Sequence, residues 1–287
     1  LLEKLHTFAP LVASARTTQP DFENAKKEIQ AIQRAFTSLG ADAQRPVLDR
    51  IAQLKPENDF EELKWLLDIY VGIDRVAGLK MLEQVLLGYQ LPHARLRWHA
   101  ANALLAADRE LAQITLRRVL TTESSRGVDI NRLAAYPGAT VPDKAAFATQ
   151  GFNNFVIAYA RSEDPQLEDT LLMVIGRTQD DKITVQECVK ILGARGCKKA
   201  VPVIEKLYRE PPLQQEDPIF LNYCLEALVD IQGAEAQPFL QAALPKAASE
   251  TVTKRIEFLL NKIASGNAVP KTPPAAKDRS SPPGNGK

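Results

Sequence analysis

Tyr223 to Leu244 reads YCLEALVDIQGAEAQPFLQAAL, and Glu187 to Tyr208 reads ECVKILGARGCKKAVPVIEKLY. Laid on each other with a shift of 36 residues and no gap, Cys224 falls on Cys188, Leu228 on Leu192, Ala236 on Ala200, Pro238 on Pro202 and Leu240 on Ile204. In both copies apolar residues recur at three and four positions, which is the spacing of a helix face and not of a strand. A period of this length is the mark of stacked supersecondary units.

Further copies lie upstream. In AFTSLGADAQRPVLDRIAQL, from Ala35, Phe36 takes the place of Leu228, Pro46 that of Pro238 and Leu48 that of Leu240. In HAANALLAADRELAQITLRRVL, from His99, Ala103, Leu104, Ala112 and Leu116 keep their places and Ile114 replaces the proline. Looser copies run from Asp59 to Tyr89 and from Phe152 to Gly176. Each copy predicts a first helix, a short turn with Gly233, Gly196 or Gly40, and a second helix. Proline stands near the first turn of that second helix, where its missing N–H costs nothing. One hairpin cannot bury the apolar stripes of both its helices, but a stack of hairpins can. Small residues such as Ala100, Ala112, Ala200, Ala227 and Ala236 let paired helices approach closely.

The two-helix unit, its AL…G…A.P.L…L pattern and the proline of the second helix resemble HEAT repeats and the similar short bacterial HEAT-like repeats. The resemblance covers residues 24–246, and is closest at 183–210 and 216–246. The Trp…Leu-Gly…Tyr pattern of TPR units and the TPLH turn of ankyrin units are missing. The resemblance implies an all-α fold, a right-handed α-α superhelix (a HEAT-like, armadillo-type solenoid) of about six helical hairpins. The expected solenoid domain spans 1–264, with a leading helix over 1–16 and a closing helix over Ser249–Ala264. An inserted loop is expected at 121–143, where Gly127, Pro137, Gly138 and Pro142 forbid a long helix. From 265 to 287 the chain is rich in Pro and Gly and lacks aromatics, which predicts a disordered tail.

Composition narrows the chemistry. Lys and Arg exceed Asp and Glu by one, a net charge of +1, so no global field draws the chain to nucleic acid or anionic membrane. Three Cys are too few and too scattered for a disulfide framework or a zinc knuckle. No apolar run is long enough to span a bilayer. Dinuclear iron hydroxylases of HEAT-like build use paired His-Glu motifs; no His-Glu dipeptide occurs here, and the histidines are His6, His93 and His99. HExxH, GxSxG, GxGxxG and GxxxxGK[ST] are also missing. No metal and no cofactor is expected. Cys188 and Cys224 share one repeat position and read as small buried hydrophobes. Cys197, beside Arg195, Lys198 and Lys199, has a basic setting that favours a reactive thiolate. The acids Glu163, Asp164, Glu168 and Asp169 read as helix-start residues.

The densest polar cluster is HARLRWHAAN, from His93 to Asn102, followed by Arg109, Arg117 and Arg118. HEAT-like DNA glycosylases grip phosphates with such a face; the plainer reading is a solvated helix with Trp98 packed on the next unit. The favoured function is non-catalytic: an interaction scaffold offering a curved groove, walled by second helices, to a protein or peptide partner. By the repeat phase the outward residues of that wall are Arg50, Gln53, Gln113, Arg117, Lys206 and Arg209, joined by Arg126, Arg132 and Tyr136 of the inserted loop. Two other readings stay open: nucleic-acid binding through Arg95–Arg118, and a lyase or chaperone-like HEAT protein that holds a cofactor. The chain opens Leu1-Leu2-Glu3 without Met, so a signal peptide, anchor or further domain ahead of it, and the compartment, also stay open.

Overall fold

The computed structural model describes residues 1–13, 18–124, 127–128, 151–178, 181–212 and 217–272. These residues are almost all helical, and the fold is all-α. They form two compact units, 1–170 and 171–287.

The first unit holds α1 (Leu2–Ala13), α2 (Gln19–Leu39), α3 (Ala41–Gln53), α4 (Phe60–Ile73), α5 (Arg75–Leu86), α6 (Ala94–Ala107), α7 (Arg109–Thr122) and α8 (Phe152–Ser162). A two-residue β-ladder, Glu123–Ser124 against Gly127–Val128, follows α7 and is the only strand pairing among the described residues. Turns are short because single residues reverse the chain. Gly40 ends α2, while Asp74 and Asp108 end α4 and α6 and at once cap α5 and α7, accepting from the N–H of Ala77 and Leu111. Such caps satisfy donors that a helix start leaves orphaned. Neighbours in sequence pack as pairs, and α2 packs on α4, α4 on α6 and α6 on α8. α1 covers α2 and α4. The core runs along these faces through Ile29, Leu63, Leu66, Leu82, Leu96, Leu104, Leu116 and Tyr159.

At the end of α7 a charge pair replaces apolar packing. Arg97 is 2% exposed and Glu123 5%. The Arg97 guanidinium donates to both Glu123 oxygens at 2.8 Å and to the Leu86 carbonyl, at the end of α5, at 2.7 Å. Burial raises the Glu123 carboxyl above its ordinary value, against the pull of Arg97. The pair ties the root of the expected inserted loop to α5 and α6. Thr121 and Thr122 belong to α7; residues 129–150 lie outside the described residues.

α9 (Leu167–Arg177) crosses the boundary between the units. The second unit continues with α10 (Lys182–Ala194), α11 (Val201–Arg209), α12 (Pro218–Gln232), α13 (Gln237–Ala243) and α14 (Glu250–Ala264). Asp181, Asp217 and Ser249 cap α10, α12 and α14. α10 packs on α12 so closely that a Cβ on Gly193 would stand 2.7 Å from the Ala227 Cβ. α12 in turn contacts α11 and α14, and α13 contacts α14.

Pro202 and Pro238 sit in the first turn of α11 and α13, after short 3-10 turns at Lys198–Ala200 and Gly233–Ala236. Pro46 differs. In that copy the residues matching the 3-10 turn are α-helical, so α3 starts directly after Gly40 and Pro46 falls inside it. The tail boundary also moves. Residues 265–272 were expected to begin a disordered tail, yet they lie against the second unit, where the Lys271 N–H donates to the Asp230 carbonyl at 2.7 Å. Residues 273–287 lie outside the described residues.

Candidate functional site

In the first unit Arg50, Gln113 and Arg117 of the expected wall serve the fold. Arg50 donates to both oxygens of the buried Glu62, at 2.7 and 3.0 Å, and His6 Nδ1 lies 2.6 Å from the same carboxylate. This cluster fastens α3 and α1 to α4. The bond to Glu62 raises the Arg50 pKa. Gln113 is a correction: expected to face outward, it is buried and donates to the Ser162 carbonyl at 2.7 Å. Its position on α7 meets α8, which closes over it. Arg117 lies 3.6 Å from the buried Asp164. Gln53 is exposed at the end of α3. Arg126, Arg132 and Tyr136 lie outside the described residues.

The basic unit is similarly engaged. Arg95 lies over the Phe60 ring and pairs with Glu61 at 3.3 Å, Arg109 pairs with Glu163 at 2.7 Å, and Arg118 donates to the Tyr89 hydroxyl at 2.6 Å. With Arg97 on Glu123 and Arg117 on Asp164, each arginine of the cluster meets a protein acceptor. Trp98 is 47% exposed. The buried face of α6 is Leu96, Arg97, Ala100, Ala101 and Leu104, and Trp98 stands beside it.

The second unit contains an open groove of about 410 Å³ between the end of α11, the start of α12 and the segment from α13 to Ala248. Its floor is aromatic: Tyr208 and Phe239 meet edge to face, with centroids 5.5 Å apart and planes at 73°. Leu221, Pro211, Ala242 and Ala243 add apolar wall. Cations stand at its rim. Arg209 lies 5.4 Å over the Phe239 ring and pairs with Glu205 at 3.0 Å. Lys246 is exposed and has no carboxylate partner among the described residues. Lys206, also exposed, lies 3.9 Å from Glu210 one turn on. Burial raises the Tyr208 pKa, so the phenol stays neutral.

Of the expected residues, only Lys206 and Arg209 share this part of the second unit. Tyr208, Phe239 and Lys246 were not singled out. One signal could have found Phe239: the 36-residue register sets it against Val203, so a large ring stands where the neighbouring copy has a small side chain.

All three cysteines are buried. Cys188 and Cys224 are fully buried and burial raises both thiols, that of Cys224 to about 12. Cys197, expected to be reactive at its basic turn, is 1% exposed, which denies it the access such chemistry needs. Among the described residues no group of His, Cys, Asp and Glu is placed to hold a metal ion, and no helix is long and apolar enough to cross a membrane. No protein-family model, no curated protein and no solved structure matches the chain.

Proposed function

We propose that the chain is a non-catalytic interaction protein of HEAT-like α-solenoid type, which takes a segment of another protein into the groove between α11 and α13. The observation that carries this reading is the groove itself. An aromatic pair offers a rigid apolar surface at low entropic cost, and such residues anchor protein interfaces. Rim cations, Lys246 above all, favour a carboxylate beside the apolar anchor. The preferred segment therefore has one or two bulky apolar side chains flanked by Asp or Glu. The volume lies within the range of sites that hold a few side chains, not a whole domain face. The solenoid part of the reading is supported by the packing inside each unit, where, apart from α1 on α4, helices meet those one and two positions along the chain.

A random peptide library displayed on phage, selected against the intact protein, tests this. Selected peptides should carry an apolar residue next to Asp or Glu. Phe239→Ala should weaken their binding by about tenfold or more, the usual effect of removing an aromatic anchor. Lys246→Glu, at an exposed position that leaves the fold alone, should weaken it and reverse the preference for acidic flanks. Peptides that bind both variants as tightly as the parent protein would overturn the proposal.

A further inference from the structure

A second feature of the same unit stands at the turns that precede α11 and α13, on residues other than those that line the groove. After α14 the chain passes over the two turns that join α10 to α11 and α12 to α13. Each turn contains a buried glycine with positive φ, Gly196 (66°) and Gly233 (58°). A Cβ on Gly196 would run into the Lys271 carbonyl, and one on Gly233 would stand 2.6 Å from Pro270 Cδ and 2.9 Å from the Ala268 carbonyl oxygen. Gly40 ends α2 with a similar φ of 55°, yet a Cβ there would meet open space. The turn geometry accounts for glycine at all three positions. The close approach of another backbone is particular to the two in the second unit.

The segment is held at one point with high polarity. Lys271 makes two bonds to Asp230, in the last turn of α12: its N–H to the carbonyl at 2.7 Å and its Nζ to Oδ2 at 2.5 Å. A helix end with unsatisfied carbonyls favours a cation, and Asp230 adds a full negative charge. Pro270 fixes the backbone before the lysine. No side chain of the segment enters the core: Val269 is 74% exposed, and Pro270 and Lys271 are exposed too. The attachment thus consists of backbone approach over glycine, a preset proline and one lysine read by one aspartate. These are the parts of a peptide-recognition site, with the peptide supplied by the chain itself.

We infer that the turn edge formed by Gly196, Gly233 and Asp230 is a recognition site for an extended Pro-Lys segment, and that residues 268–271 occupy it as an intramolecular ligand. The short connection from α14 gives this ligand a high effective concentration, so a free segment of the same chemistry competes poorly until the tether is released. The inference goes beyond the proposed groove and shares no residue with it, so either can fail alone.

The probe is a fluorescein-labelled peptide with the sequence of residues 266–272, followed by anisotropy against the full chain. Lys271→Glu in the protein repels Asp230 and releases the tether. This variant should bind the labelled peptide at least tenfold more tightly than the parent protein does. Adding Asp230→Asn should remove that gain. The Lys271 amide should exchange slowly in the parent protein and at least tenfold faster in Lys271→Glu. Thermal melts by circular dichroism confirm that each variant is folded, as an exposed position predicts. Equal exchange in parent and variant, or peptide binding that is the same for parent, single and double variants, would overturn the assignment.

Discussion

Arg97→Ala removes one half of the buried pair that anchors the end of α7. The parent guanidinium makes two bonds to Glu123 at 2.8 Å and one to the Leu86 carbonyl at 2.7 Å. The substitution leaves Glu123, 5% exposed, without the partner that offsets its burial. Removing one partner of a buried pair costs about 3–5 kcal/mol. For a unit of this size that corresponds to a fall in Tm of roughly 6–20 °C. An exposed pair supplies the contrast. Arg109 and Glu163, 53% and 54% exposed, are 2.7 Å apart, and Arg109→Ala should cost no more than about 1 kcal/mol. The double variant Arg97→Met, Glu123→Leu removes both charges and should recover most of the loss. Urea unfolding followed by tryptophan fluorescence is a selective assay, because Trp65 and Trp98, the chain's two tryptophans, both lie in the first unit.

The loss should also depend on pH, with a definite sign. In Arg97→Ala burial acts on Glu123 against the weaker pull of Arg118 alone, so its folded pKa moves further above the ordinary 4.5. A carboxyl whose folded pKa is raised favours folding while it is protonated, and that support is lost as pH rises through the raised value. The variant's deficit relative to the parent should therefore be smaller at about pH 5 than at about pH 8. A deficit below about 1 kcal/mol, or one that shrinks as pH rises, would refute the reasoning.

Other consequences can be measured separately. Gly193→Ala drives a Cβ into Ala227 and should cost about 1–3 kcal/mol in thermal melts. Gly176→Ala, in a helix with open space around the new methyl, should instead stabilise by about 0.5–1 kcal/mol. The Asp217 carboxyl is held below its ordinary value, chiefly by Lys182 at 2.6 Å and then by the start of α12. Its support is present above the unfolded value and lost as pH falls through the depressed folded one. Asp217→Asn should therefore flatten the acid limb of a stability–pH curve, and an unchanged limb would exclude Asp217 as its source. All three cysteines are buried, so a disulfide reagent at about pH 8 should label them only as fast as the protein opens. Prompt labelling of one thiol in the folded protein would contradict the placement of Cys197.

Local pattern carried the helices, and distance concealed their partners. The 36-residue register placed α10 to α13, because an amphipathic stripe, a turn glycine and a first-turn proline are all short-range signals. Pro46 obeyed the register but not the helix start, since whether the preceding turn is 3-10 or α depends on local winding. The repeat phase set Gln113 on the outward face; its acceptor, the Ser162 carbonyl, lies 49 residues on and has no signature. The arginines of the 93–118 unit looked like a basic patch because their acceptors, four carboxylates and the Tyr89 hydroxyl, lie far away in the chain. Composition also misread residues 265–272. Proline and a lone lysine look unstructured until Asp230, 41 residues earlier, is seen to hold them.

The groove carries the functional account, and amide hydrogen exchange of the full chain with a display-selected peptide tests it most directly. Exchange should slow where the peptide seats, at 208–211 and 244–248, with the first unit unchanged. Protection confined to other segments, or none at saturating peptide, would contradict it.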